Sequence, residues 1–181
     1  MGRITFILGG AKSGKSSLAL DLAKKSRKKV AFIATSQARD LEMEKRIAIH
    51  KRQRPRHWKT FEEPVRLPIL LRKIGDKFEL IIIDCLTLLV SNLLLKGSKE
   101  KGIEEAVKEL CLRLKKIKAH AIIVSNEVGM GIVPENKLAR QFRDIVGKVN
   151  QVMVEKSDEV FFMISGLPLK IKNSRGGDKN G

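Results

Sequence analysis

The sequence predicts an α/β three-layer sandwich with a mostly parallel central sheet. Two observations carry that prediction. Apolar runs of strand length alternate along the chain with longer segments of helical spacing. The runs are nearly continuous in Val, Ile, Leu and Phe, as strands buried on both faces of a parallel sheet are.

Strands are expected at residues 4–8 (ITFIL), 30–34 (VAFIA), 80–83 (LIII), 121–124 (AIIV) and 160–164 (VFFMI). Helices are expected at residues 15–25, 40–53, 64–74, 86–95, 103–118 and 134–156. The second should stop near Pro55, because a proline disfavours helical geometry at the residue before it, here Arg54. In the last, Leu138, Phe142, Ile145, Val149 and Val152 recur at steps of four and three and make one apolar stripe, suited to the sheet or to a second subunit. The chain contains no internal repeat. Its 181 residues suit one domain, expected over residues 1–172, and NSRGGDKNG over residues 173–181 has the composition of a flexible tail.

Lysine and arginine number 37 against 20 acids, a formal net charge of +17, but the basic residues are spread along most segments. Charge of this kind leaves open a nucleotide-dependent nucleic-acid-binding protein as the alternative reading. Seven Phe, one Trp and no Tyr supply few stacking platforms for single strands, which weighs against it, and no nucleic-acid partner is expected. Cys85 and Cys111 match no zinc or redox spacing and read as small buried hydrophobes in a reducing compartment. The first apolar run leads into a glycine motif rather than a cleavage site, and IIIDCLTLLVSNLLL is interrupted by Asp84 and short for a membrane span. A cytoplasmic protein without a membrane span is expected.

The stretch GGAKSGKS, comprising Gly9, Gly10, Ala11, Lys12, Ser13, Gly14, Lys15 and Ser16, fits G-x-x-x-x-G-K-[ST] between a strand and a helix. With average glycine frequencies the pattern arises by chance on the order of once in a hundred such chains. It identifies a phosphate-binding loop and makes the sandwich one of the P-loop NTPase type. Glycines let several N–H groups point inward, the helix N-terminus adds positive dipole, Lys15 neutralises the outer phosphates, and the Ser16 hydroxyl is suited to Mg2+. Asp84 ends the run LIIID, where a carboxylate would sit at the carboxyl edge of the sheet and hold the same ion directly or through water. No N-K-x-D guanine signature follows.

RIAIHKRQRPRHW gathers His50, His57, Trp58 and a run of bases. Met43, Ile47 and His50 are spaced i, i+4, i+7, so His50 is expected in the last helical turn, facing the protein body. The helix dipole there favours imidazolium, whereas Lys51, Arg52 and Arg54 favour the neutral ring. On the residues alone, a packed structural histidine and a reactive one both remain open. Trp58 reads as a packing anchor, and His120, ahead of AIIV, as a surface residue.

Taken together, GGAKSGKS, FIATSQARDLEMEKRIAIHKRQRPRHWKTFEEP, IIIDCLTLLVSNLL, VSNEVGMGIVPENKLARQFRDIVGKVNQ and SGLPLKIK make the chain resemble, nearly end to end, the bifunctional adenosylcobinamide kinase and adenosylcobinamide-phosphate guanylyltransferase family of cobalamin biosynthesis. The resemblance implies two reactions, phosphorylation of adenosylcobinamide by a nucleoside triphosphate, ATP or GTP, and transfer of GMP from GTP to the resulting phosphate. It implies a histidine carrying GMP, matched by His50 and not His57. Ala34, Thr35 and Ser36 match one nucleotide-contacting segment, and Lys51, Arg52, Gln53, Arg54, Glu62 and Asp84 match others. Lys15 would serve both reactions, with Mg2+ as cofactor. The family's habit also implies a homotrimer, and NEVGMGIVPEN is assigned to the corrinoid side or to a subunit contact. Ile49, the high basic charge and the short tail have no counterpart in that functional pattern.

Overall fold

The structure is a computed structural model that describes residues 2–38 and 40–173. Most of the proposed tail, residues 174–181, lies outside the described residues. Seven strands and six helices follow one another as β1 (Ile4–Gly9), α1 (Lys15–Ser26), β2 (Val30–Ala34), α2 (Leu41–Arg52), β3 (Lys59–Glu62), α3 (Leu67–Ile74), β4 (Leu80–Asp84), α4 (Leu86–Leu95), α5 (Glu100–Lys116), β5 (His120–Asn126), α6 (Lys137–Lys156), β6 (Glu159–Ile164) and β7 (Leu167–Asn173). Among the described residues the strands form one sheet in the order β3-β2-β4-β5-β1-β6-β7, with only β7 antiparallel.

Alternation along each buried strand divides the core in two. Ile4, Phe6, Ile81, Ile83, Ala121 and Ile123 face α3, α4, α5 and α6, whereas Ile7, Phe32, Ile82, Ile122 and Val124 face α1. This is the three-layer arrangement predicted. The α6 stripe turns to the sheet side: Ile145 and Val149 are fully buried, Phe142 and Val152 half-buried, and Leu138 is left outside at 53% exposure.

Two strands were not predicted. β3 is a four-residue edge strand, KTFE, too short and polar to show a pattern, and β7 carries Pro168, which argues against a strand. β7 tolerates it at the sheet's edge, and the β6–β7 turn is a two-residue hairpin turn in which Ser165 and Gly166 both have positive φ, 49° and 90°. Asn173, assigned to the tail, is the last residue of β7. α3 begins three residues later than expected because the Glu63 carboxylate accepts the N–H groups of Val65 and Arg66 and holds them in a turn. α5 begins three residues earlier, running through Gly102.

His120 is a second correction. Rather than lying free at the surface, it is half-buried at the start of β5 with Nε2 2.9 Å from the Thr5 hydroxyl. That hydroxyl donates to Glu159, so the His120 ring donates to it. Burial, with Arg3 and Lys28 adding to it, pushes the imidazole down from 6.5 to about 4, against the opposing pull of Glu159 and Asp158.

A lowered histidine pKa means that the unfolded chain takes up the proton first, so stability from this site is full above pH 6.5 and falls as the pH drops toward 4. The full slope is about 1.4 kcal/mol per pH unit; discounted for partial exposure it is about 1. His120→Gln keeps an N–H donor without titrating. Urea midpoints measured at pH 7 and pH 5 are expected to fall less for the variant than for the parent chain, and equal falls would refute the assignment.

Candidate active site

Parallel pairing brings the carboxyl ends of four strands to one edge. Gly9 of β1 is in register with Asn126 of β5, Asp84 of β4 with Val124 of β5, and Ala34 of β2 with Asp84. The phosphate loop, residues 9–16, therefore opens beside Asp84 and the segment after Ala34, as the sequence predicted.

The loop's shape is fixed by its glycines and two outside tethers. Gly9 and Gly14 have φ of 153° and 95°, and a Cβ on Gly9 would lie 2.6 Å from the Met163 carbonyl and 2.7 Å from the Ser13 hydroxyl. The Glu127 N–H donates to the Gly9 carbonyl at 2.9 Å, and the Gly166 N–H to the Ser13 carbonyl at 3.0 Å. Gly10, Ala11 and Lys12 form the outer rim, while Ser13 and Lys15 are buried. The Lys15 ammonium donates to the Gly10 carbonyl at 2.5 Å and to the Ser13 hydroxyl at 3.4 Å. Desolvation lowers its pKa from the ordinary lysine value, opposed by Cys85 and Asp84.

Asp84 lies in front of it. Burial raises its carboxyl above the usual range, opposed by a hydrogen bond from the Ser16 hydroxyl and by the charges of His50, Arg54 and Lys15. A hydroxyl and a carboxylate, both hard oxygen donors beside a phosphate cradle, fit Mg2+, which takes one or two protein ligands and completes its shell with phosphate and water. A dication there would offset the desolvation of the carboxylate. Among the described residues no cluster of three or more His, Cys, Asp or Glu forms a closed metal cage.

α2 lies over this edge. Asp40 caps it by accepting the Met43 N–H at 2.7 Å, and Glu42 pairs with Arg46 one turn on. Met43 and Ile47 are half-buried on the inward face, as their spacing requires, but no residue of α2 is buried and His50 is exposed. The expected packing of His50 against the protein body does not occur. Its ring is nevertheless within electrostatic reach of Asp84.

The basic residues after His50 divide. Arg54 is half-buried, with its guanidinium 3.7 Å from the Phe32 ring centroid, a contact worth about 1–2 kcal/mol when desolvated. Burial lowers its pKa against the pull of Asp84 and Glu62, and its Nε is buried without a hydrogen-bond partner. Lys51 pairs with Glu62 at 3.5 Å, joining α2 to β3. Arg52 and Gln53 are exposed. Trp58 is 7% exposed in the α1-side core, the anchor expected of it, and His57 lies edge-on to it with centroids 6.4 Å apart.

Three supports, Asn92, Thr87 and Asn150, escaped sequence reasoning, and a fourth, Thr35, was matched to a nucleotide-contacting segment but not read as a support. Thr35 is fully buried; its hydroxyl donates to the Cys85 carbonyl at 2.7 Å and accepts the Cys85 N–H at 2.8 Å across a cis Asp84–Cys85 peptide. Asn92 of α4 donates to the carbonyls of Thr35 and Pro64 at 2.8 and 3.1 Å. Thr87 and Asn150 hold Ser125 from two helices at 3.0 and 2.8 Å, fixing the end of β5. The sequence signal for Asn92 is a lone carboxamide in the apolar run LTLLVSNLLL. Ala34 is buried beneath this knot, and Ser36 emerges half-buried beyond it.

Residues 5–171 match the family described as cobinamide kinase / cobinamide phosphate guanyltransferase. A bifunctional adenosylcobalamin biosynthesis protein, CobP, from Pseudomonas aeruginosa is 44% identical over 168 residues, covering 92% of this chain and 95% of that protein. The CobU counterparts from Escherichia coli and Salmonella typhimurium are each 40% identical over 178 residues, covering 92% of this chain and 98% of theirs. Among solved structures, a KaiC-like protein from Pyrococcus horikoshii aligns with a TM-score of 0.51 at 14% identity over 89% of this chain and 70% of that one, a likeness of fold alone.

Thr35→Val keeps the side-chain shape and strips the Cys85 N–H and C=O of their shared partner. The Cys85 C=O still accepts the Leu89 N–H at 3.3 Å, so one buried group, the Cys85 N–H, is left unpaired, at a cost of about 1–3 kcal/mol. Urea denaturation is expected to show that loss for Thr35→Val and little loss for Thr35→Ser; equal stability of the Val variant and the parent chain would refute the role given to the hydroxyl.

Proposed function

The chain belongs to the cobinamide kinase / cobinamide phosphate guanyltransferase family, and from that premise we propose that one phosphate cradle performs both reactions with a change of nucleophile. The observation that carries the reading is His50 at the free end of α2, facing the same edge as Lys15, Ser16 and Asp84.

In guanylyl transfer, the unprotonated ring nitrogen of His50 bonds to the α-phosphorus of GTP as the bond to the bridging oxygen of the β-phosphate breaks, releasing pyrophosphate. A phosphate oxygen of adenosylcobinamide phosphate then attacks the same phosphorus, the P–N bond breaks, and adenosyl-GDP-cobinamide leaves with the histidine restored. In the kinase reaction, the hydroxyl oxygen of adenosylcobinamide bonds to the γ-phosphorus of ATP or GTP, the nucleoside diphosphate departs, and the hydroxyl proton passes to solvent. Loop N–H groups and Lys15 bind the β- and γ-phosphates in both cases. Arg54, braced on Phe32, and Lys51 stand beside the triphosphate on the side from which His50 approaches. The exposure of His50 suits a group that must meet two substrates in turn. Ser16 and Asp84 would hold Mg2+, which supplies charge neutralisation on the phosphates.

The corrinoid is read as approaching past the loop at residues 127–136, where Met130 and Ile132 are 80% and 96% exposed. The enzyme is read as a cytoplasmic homotrimer, by family resemblance. Ile164, Leu167, Leu169 and Ile171 supply exposed apolar surface for such an assembly, and no helix among the described residues is long and apolar enough to cross a membrane. Light scattering is expected to give three times the 20.3 kDa chain mass, and a monomer mass would reject the trimer.

GTP labelled at the α-phosphate is expected to leave an acid-labile, protein-bound GMP that disappears in His50→Ala and persists in His57→Ala. Labelling is expected to slow by about 10²–10³-fold in Lys15→Ala. Undiminished labelling of His50→Ala would overturn the assignment of the nucleophile.

A further inference from the structure

At the opposite, amino edge of the sheet lies a cavity of about 440 Å³ that the reactions above do not use. It opens where β2, β3 and β4 begin. The length of β2, roughly 16 Å at strand rise, separates it from the phosphate loop. Phe61 and Phe78 form one wall, packed edge to face with centroids 5.9 Å apart. Lys29, Lys59, Lys77 and His57 ring the opening.

The charges at this opening are one-sided. Among the described residues, neither Lys59 nor Lys77 forms an ion pair with a carboxylate. The Lys29 ammonium stands 5.4 Å from the centroid of the Phe78 ring, and the one nearby carboxylate with a bond here, Glu79, accepts the Lys29 backbone N–H instead. Two ammonium groups without an ion pair and a third over an aromatic ring give the pocket a surplus of positive charge even with Glu79 beside it, which calls for an anion, and the aromatic wall calls for an apolar, planar body attached to it. The volume lies within the range of single small-molecule sites, and the bases converge on one cavity rather than following a groove, which favours a mononucleotide over a polymer.

We propose that this cavity is a second ligand site that takes a nucleoside phosphate, its base against Phe61 and Phe78 and its phosphate among Lys29, Lys59, Lys77 and His57. The assignment gives His57 a place in the molecule apart from the reactive end of α2. The site stands on its own lining and does not depend on the roles given to His50 and Lys15.

Equilibrium dialysis of the full chain against tritiated GMP and AMP tests it, beside a chain carrying Lys59→Ala and Lys77→Ala. The double variant is expected to lose one bound nucleotide per chain, its affinity there falling about tenfold or more, while guanylylation by α-labelled GTP is unchanged. Phe78→Leu is expected to weaken GMP binding without affecting inorganic phosphate. Photolysis with 8-azido-GMP is expected to label residues 57–61 or 77–78. Identical isotherms for the parent chain and the double variant would overturn the site. Inorganic phosphate competing as well as GMP would overturn its aromatic half, and a single-stranded oligonucleotide binding there more tightly than GMP would replace the mononucleotide with a polymer.

Discussion

The Thr35 hydroxyl is the constraint on which the catalytic edge depends. It satisfies both backbone groups of Cys85 at once, and Thr35's own N–H donates to the Asp84 carbonyl at 3.1 Å. The strand end carrying the carboxylate and the start of the segment leading to α2 therefore move as one piece. Asn92 extends the knot to Pro64, so a helix on the far face of the sheet also holds it. Buried polar networks of this kind cost stability if any partner is missing, and every group here is paired.

Against that rigid edge, α2 is lightly held. Its inward face offers two half-buried side chains, and its far end is fastened by one exposed ion pair and one cation–π contact. Exposed ion pairs contribute about 0–1 kcal/mol, so the contact of Arg54 with Phe32 dominates. His50, the nucleophile proposed above, thus rides on the least buried helix among the described residues, while the proposed phosphate cradle is a loop tethered from Glu127 and Gly166. Such a division suits a nucleophile that must approach an α-phosphorus in one reaction and stand aside while a γ-phosphorus is attacked in the other.

Most of the sheet was legible in the sequence because β1, β2, β4 and β5 are buried on both faces and β6 on part of each, and all five show as unbroken apolar runs. β3 and β7 were not, for opposite reasons. β3 is polar and short; β7 alternates Leu167, Leu169 and Ile171 with polar neighbours, but its proline masks that period. At the site, the position of the loop over residues 9–16 was readable because its pattern has a fixed spacing between a strand and a helix, and that of Asp84 because it ends an apolar run. His50 was placed on the right helix turn, yet its exposure could not follow from a period that reports direction and not cover. Thr35, Asn92, Thr87 and Ser125 act through partners 25 to 57 positions away, a relation that local pattern does not encode. The misreading of His120 has the same origin, since its partner Thr5 is 115 positions distant.

The order of strands has a consequence for synthesis. β1 precedes both of its neighbours, β5 and β6, in the chain, and the loop that follows it is tied to Gly166 in the β6–β7 turn. At about 5–20 residues per second, roughly 8–30 s separate translation of the cradle from translation of its supports. A nascent chain therefore carries its nucleotide motif without these supports for as long as the intervening segment takes to translate.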